Sequence, residues 1–265
     1  IKLRGNFEFL QSTNHGRLYN VDAALDLTPL NGYTLTAGIL AQSNLPSMNL
    51  MYNQSDLENF NYYNDFFENV NTQKIYGILN FDRFKTQIEA AVYNIDNHIY
   101  LDSNYRVNQL NDNINYFKIK GRNHLTYNNF NLVSTVQYQQ VTNNETYLPL
   151  PDFIIRESLY WQGKIFEGKA ELQTGVNAYY FTEYDAQGFF PLTNEFYLQN
   201  TDFTQKIGGY PMLDLFLNAK VRNMRFYIRG DHVNALFGKR NYFSVPGTPY
   251  RGFKFQIGIK WDIFT

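Results

Sequence analysis

From Phe253 to Ile263 the chain reads FKFQIGIKWDI, alternating apolar and polar at every step, with the aromatic Phe264 directly after it. Successive side chains of an extended strand point to opposite faces. Phe253, Phe255, Ile257, Ile259, Trp261 and Ile263 therefore share one face, and Lys254, Gln256, Gly258, Lys260 and Asp262 the other. A strand this apolar on one side and this charged on the other lies between two solvents. In a soluble sandwich the apolar side would meet a second sheet. What constrains the fold is that the whole chain repeats the pattern and leaves no sequence from which to build that second layer.

The period-two apolar sets include Leu3, Phe7, Phe9; Tyr19, Val21, Ala23, Leu25, Leu27; Tyr33, Leu35, Ala37, Ile39; and Ile75, Leu79, Phe81. They continue through Phe117, Ile119, Leu125; Leu132, Val136, Tyr138; Phe153, Ile155, Leu159, Trp161; and Leu213, Leu215, Leu217, Ala219, Val221. The opposite faces are too charged to be a core, as Lys118, Lys120 and Arg122 illustrate on one strand. Tight turns are expected at Pro29-Leu30-Asn31-Gly32, Asp82-Arg83, Asn128-Asn129, Gly163-Lys164 and Arg222-Asn223. Long polar stretches alternate with them at about 43–70, 96–112, 142–152, 184–209 and 236–252, and one short connection near Ser12 to His15 lies on the long-loop side. Tight turns on one rim and long loops on the other describe a transmembrane antiparallel outer-membrane β-barrel. The expectation is all-β, one domain over residues 1–265, with about twelve strands and both termini on the periplasmic rim, or else the C-terminal part of a larger barrel.

Composition agrees with this reading. The 265 residues allow roughly 22 per strand and connection, enough for the ~9–11 residues of a tilted spanning strand. No run approaches the ~18 apolar residues of a membrane helix. The absence of cysteine suits a chain that crosses an oxidising compartment without a disulfide framework. With the last strand running toward the periplasm, Trp261 and Trp161 fall at one level, joined by Tyr33, Phe81, Phe84 and Phe130. Phe9, Tyr138, Tyr180 and Phe253 fall at the opposite end, giving two aromatic girdles.

Several segments carry a family resemblance: Gly209-Tyr210-Pro211-Met212-Leu213-Asp214-Leu215-Phe216-Leu217-Asn218-Ala219-Lys220, Arg225-Phe226-Tyr227-Ile228, Asp231-His232-Val233-Asn234-Ala235, and the stretch from Asn241 to Tyr250. They resemble the C-terminal part of the putative porins of Bacteroidota-type outer membranes. The ending, with Gln256, Gly258, Trp261 and Ile263, is similar to the polar-x-Gly-x-x-aromatic-x-apolar signal by which the barrel-assembly machinery recognises a last strand. The resemblance implies a barrel, usually longer than this chain, and says little of cargo.

Chemistry-bearing motifs are sparse. There is no G-x-S-x-G, Walker loop or H-E-x-x-H. His15, His98, His124 and His232 are scattered. A barrel phospholipase would need a Ser–His pair at the outer rim, for which His232 and Ser244 are the nearest match. A barrel protease would need an Asp/His cluster, nearest at His98 with Asp96 and Asp102. Loop carboxylates such as Asp56, Glu58, Asp65 and Glu68 lack EF-hand spacing. No catalytic residue, metal or cofactor is expected.

Charge sorting is more informative. The inward positions are richer in bases than acids, while the loops are acidic, so the net charge of −1 hides a basic wall beneath an acidic mouth. The basic pore-lining set is expected to include Lys2, Arg4, Lys118, Lys120, Arg122, Lys220, Arg222, Arg225, Arg229, Lys254 and Lys260, partly neutralised by Asp214, Asp231 and Asp262. Charged walls select ions of opposite sign. These readings describe a porin-like channel for passive diffusion of small hydrophilic, preferably anionic solutes. The alternative is a non-conducting structural or docking barrel of an outer-membrane complex. Expected partners are outer-membrane lipid and lipopolysaccharide, the barrel-assembly machinery and other outer-membrane proteins, and no nucleic acid. The first and last strands are expected to pair and close the barrel. The aromatic-rich loop at 43–70, with Phe60, Tyr62, Tyr63, Phe66 and Phe67, is expected to fold over the mouth.

Overall fold

A computed structural model describes residues 1–12, 16–57, 60–238 and 242–263. His15, Glu58, Asn241 and Phe264 lie outside the described residues. Twelve long strands form one antiparallel sheet: β1 (Lys2–Ser12), β2 (Gly16–Leu30), β3 (Tyr33–Asn44), β4 (Val70–Phe81), β5 (Thr86–Asp96), β6 (Ile114–Tyr127), β7 (Phe130–Asn143), β8 (Phe153–Ile165), β9 (Ala170–Phe181), β10 (Met212–Val221), β11 (Met224–Asp231) and β12 (Lys254–Trp261). Each is hydrogen-bonded to its neighbours in chain order, the meander that short turns and antiparallel ladders impose.

The alternation read from the sequence sets the faces. On one side Leu25 pairs with Ala37, Ile39 with Ile75, Ile75 with Val92, and Ile228 with Ile257. That side is solvent-facing in the isolated chain, and Leu3, Ile75, Ile257 and Trp261 are all largely exposed. A soluble protein would bury such residues; lipid is the solvent that suits them. Polar side chains occupy the other side, which is the more crowded: Ala24, Thr36, Ala91 and Gln139 are buried there beneath longer neighbours. Gly38 lies directly under the Tyr76 ring and Gly258 under that of Tyr227, where a Cβ would overlap the ring atoms.

Two expectations change. The strand β8 runs on through Gly163 and Lys164 to Ile165, and the turn is Phe166-Glu167-Gly168-Lys169, with positive φ at Phe166, Glu167 and Gly168. The apolar Ile165 extends the ladder opposite Ala170, and Gly168 at φ 85° closes the turn at no steric cost. More consequentially, β1 and β12 do not pair: the sheet has two edges, and β1 is exposed along almost its whole length. The alternation and strand directions allowed closure but did not encode it, because closure depends on the strand tilt and shear summed over the whole sheet.

The long-loop rim has its own small core. A four-stranded sheet joins Gly188–Phe190, Glu195–Tyr197, Ile99–Leu101 and Val107–Gln109 in that order, its two outer pairings antiparallel and the central Tyr197–Leu101 link parallel. Leu50 and Phe67 are buried against its Ile99 and Leu101, with Tyr105 stacked 4.4 Å from Phe190 and Phe60 at 5.2 Å from Phe190. The loop at 43–70 thus packs Phe60 and Phe67 against two other loops, while Tyr63 and Phe66 remain exposed.

Candidate pore wall

The polar face is built from cross-strand rows, since residues opposite one another on antiparallel neighbours lie close enough to pair. Near β1, Arg4 donates two hydrogen bonds to Asp26, at 2.8 and 2.9 Å, and Thr36 donates to the same carboxylate at 2.7 Å. Lys2 stands opposite Asp26 in register. The Tyr76 hydroxyl donates to Asp22 at 3.1 Å. In the middle of the sheet Glu89 lies 3.3 Å from Lys118 and 3.6 Å from Lys74, and Tyr93 stacks on Tyr116 at 4.3 Å. Lys120 and Arg122 extend the β6 row opposite Gln137 and Thr135. Bidentate and doubly partnered carboxylates of this kind fix the register of the wall.

Toward β12 the expected basic patch divides in two. At its upper end Arg229 Nε sits 2.8 Å from Asp231, with Asp214 at 3.8 Å, and Arg251 reaches Asp231 at 3.5 Å. Asp214 and Asp231 are both buried. Arg229, half exposed, is thus partnered by two carboxylates, and Lys254, opposite Asp231 in register, stands next to the same group. Arg251 was not singled out from the sequence, because it follows a loop and has no strand pattern around it. At the lower end Lys220, Arg225 and Lys260 lie side by side on β10, β11 and β12, with Glu171 opposite Lys220 at one end and Asp262 3.6 Å from Lys260 at the other. Among the described residues Lys120, Arg122, Lys220, Arg225 and Lys254 make no ion pair. Arg222 occupies the β10–β11 turn, where that turn was expected, at φ 51° and beyond the end of β10, so it sits at the rim rather than in the strand rows. Lys2 and Arg4 do not extend this patch either, since β1 and β12 are not neighbours.

Among the described residues the histidines form no catalytic pairing. His232 is buried, its backbone N–H donating to Asp214 at 2.8 Å and its Nδ1–H to the Arg251 carbonyl at 2.8 Å, with the rings of Tyr210, Tyr242 and Tyr250 around it. Ser244 is engaged elsewhere, donating to the Thr248 carbonyl. In the loops, burial depresses the pKa of His98. Asp102 is occupied by the backbone N–H groups of Asn104 and Arg106, and Asp96 by Asn94, so the Asp/His cluster does not assemble. His124 lies on the polar face near the turn rim, 3.1 Å from Asn131. Among the described residues no group of three metal-binding side chains comes together.

The last-strand residues occupy three settings. Gln256 pairs with Arg229 in register, Gly258 makes room for Tyr227, and Trp261, opposite Met224, is exposed on the apolar face. Ile263 is exposed beyond the strand.

Solved structures show the same fold. The chain is similar to the ferric enterobactin receptor of Pseudomonas aeruginosa at 14% identity, with a TM-score of 0.68, covering 97% of this chain and 42% of that one. It is similar to the siderophore receptor PirA of Acinetobacter baumannii at 9% identity and a TM-score of 0.68, covering 98% and 43% respectively. For the copper transporter OprC the values are 15%, 0.65, 92% and 39%. The chain therefore spans less than half the length of these solved barrels. No curated protein matches it in sequence. At these identities the likeness establishes the fold, that of an outer-membrane barrel wall with its apolar face toward lipid. The profile of a family described as "Putative porin" matches residues 1–265, well beyond the last quarter of the sequence where the resemblance was legible, and the chain accordingly belongs to that family of bacterial outer-membrane barrels.

Proposed function

We propose that the sheet is a sector of the wall of a porin-like channel through which small hydrophilic, preferably anionic, solutes diffuse. The observation that carries this reading is the row Lys220, Arg225 and Lys260, three bases abreast on the polar face with one nearby carboxylate at each end. A basic stretch against a low-dielectric wall raises the local anion concentration, and salt weakens the effect. Its two free edges carry unpaired backbone groups that lipid does not tolerate, so the working pore is closed by strands beyond the twelve described. The pore is therefore wider than twelve strands alone would give. Lipopolysaccharide at the loop rim and the assembly machinery at Gln256, Gly258, Trp261 and Ile263 are the partners this role requires.

In planar bilayers the full-length protein is expected to show a modest anion preference by reversal potential in a salt gradient, falling as ionic strength rises. Lys220→Glu with Arg225→Glu is expected to remove it. The pair is chosen because Arg229 is already partnered by two carboxylates and both side chains are exposed, so the variant keeps its buried ion pairs. Cation preference in the unsubstituted protein would refute the proposal. Absence of conductance would favour the docking barrel, a reading that the packed loop core of Leu50, Phe67, Ile99 and Leu101 supports by covering part of the rim.

A further inference from the structure

Among the described residues the apolar face has one charged interruption between the aromatic girdles, and it lies halfway between them. On β7 the outward positions are Phe130, Leu132, Ser134, Val136 and Tyr138, and on β8 they are Phe153, Ile155, Glu157, Leu159 and Trp161. Phe130 faces Trp161 at one end, Tyr138 faces Phe153 at the other, and Ser134 faces Glu157 midway. At ~3.3 Å per residue along tilted strands, Glu157 is about 10 Å from either girdle, which is hydrocarbon depth. The Ser134 hydroxyl donates to the Glu157 carboxylate. In the same row Asn123 adjoins Ser134 on β6, and Ala178 adjoins Glu157 on β9. Among the described residues Glu157 is the only acidic or basic side chain on this face between the girdles.

A carboxylate offers about four acceptor sites, and one serine hydroxyl fills one of them. Hydrocarbon can fill none of the others, and an ionisable side chain at that depth is costly to keep. Its row neighbours Asn123, Ser134 and Ala178 are small or polar, so another wall can approach closely here, as small residues allow within membranes. Lipid ammonium groups lie at the interface, about 10 Å too far away. A second copy of this chain meeting it symmetrically would set one carboxylate against another, which is repulsive. We propose that Glu157 and Ser134 mark a contact surface within the bilayer for a different outer-membrane protein, one that presents a lysine or arginine side chain to this carboxylate.

The test uses the full-length protein in its own outer membrane, with a photo-crosslinking amino acid in place of Leu159. A discrete adduct to another membrane protein is expected, with a basic residue in the crosslinked segment. Glu157→Leu and Glu157→Lys should lower its yield at least about tenfold, equivalent to the loss of one strong contact. The closely isosteric Glu157→Gln should lower it less, and each variant should keep the heat-modifiable migration of a folded barrel. Exchanging charges, Glu157→Lys here against Lys→Glu or Arg→Glu in the partner, should restore the adduct. The proposal is overturned by adducts with lipid alone, by an adduct with a second copy of this chain, by a yield that Glu157→Leu leaves unchanged, or by a crosslinked segment without a basic residue.

Discussion

Gly175→Ala is expected to destabilise the folded barrel by about 3 kcal/mol, the upper end of what overpacking costs. Gly175 lies in the interior of β9, opposite Tyr160 on β8 and Phe216 on β10. A Cβ there would overlap the Leu159 carbonyl oxygen and stand 2.7 Å from the Tyr160 Cα. These are backbone atoms, so no rotamer change relieves the overlap; β8 and β9 have to separate, and ladder hydrogen bonds go with them. Gly77 is the control. Its nearest neighbour to a new Cβ is the Thr36 carbonyl oxygen at 3.9 Å, so Gly77→Ala should fall within about 1 kcal/mol of the parent. Urea titration of both variants folded into lipid vesicles measures the difference. Equal stabilities would show that β8 and β9 are less closely apposed than described.

Arg229→Leu is expected to cost about 2 kcal/mol, between the scale of a buried ion pair and that of a surface one, because the carboxylates are buried while Arg229 is half exposed. Asp231 and Asp214 would both lose it, leaving Arg251 at 3.5 Å as the counterion of Asp231. Both carboxylates are buried, so water does not replace the lost partner. Arg229→Lys keeps the charge without the fork geometry and should recover part of the loss. The damage should spread to His232, whose backbone N–H is held by Asp214. Replacing Arg225, exposed and without an ion pair, should change stability by less than about 1 kcal/mol while altering selectivity. A similar loss in both variants would mean that the two arginines are equivalent, contrary to the geometry.

Much of the wall was legible in the chain itself. The alternation in β12, the paired aromatic ends of β7 and β8, and the tight turn at Asn128-Asn129 are local patterns. A period of two needs only neighbouring residues to declare itself. The same locality explains the errors. Ser134 and Glu157 interrupt the apolar alternation of their strands and could be passed over singly; only the β7–β8 register shows that the two interruptions face each other. The turn expected at Gly163-Lys164 moved because the apolar Ile165 had a partner in Ala170.

Four features were decided by tertiary structure alone. Arg229 looked like part of a basic wall until a neighbouring strand and a loop brought Asp214 and Arg251 to the pair it makes with Asp231 on its own strand. His232 looked like a rim residue and is buried among three tyrosines. The loop at 43–70 found its partners in loops some fifty and some hundred and thirty residues away. The first and last strands, antiparallel and able to pair, remain apart. Side-chain alternation is fixed residue by residue, and the sequence alone determines it. Ion pairing, burial and closure depend on tilt, register and curvature accumulated over all twelve strands, and these exist only once the sheet has formed.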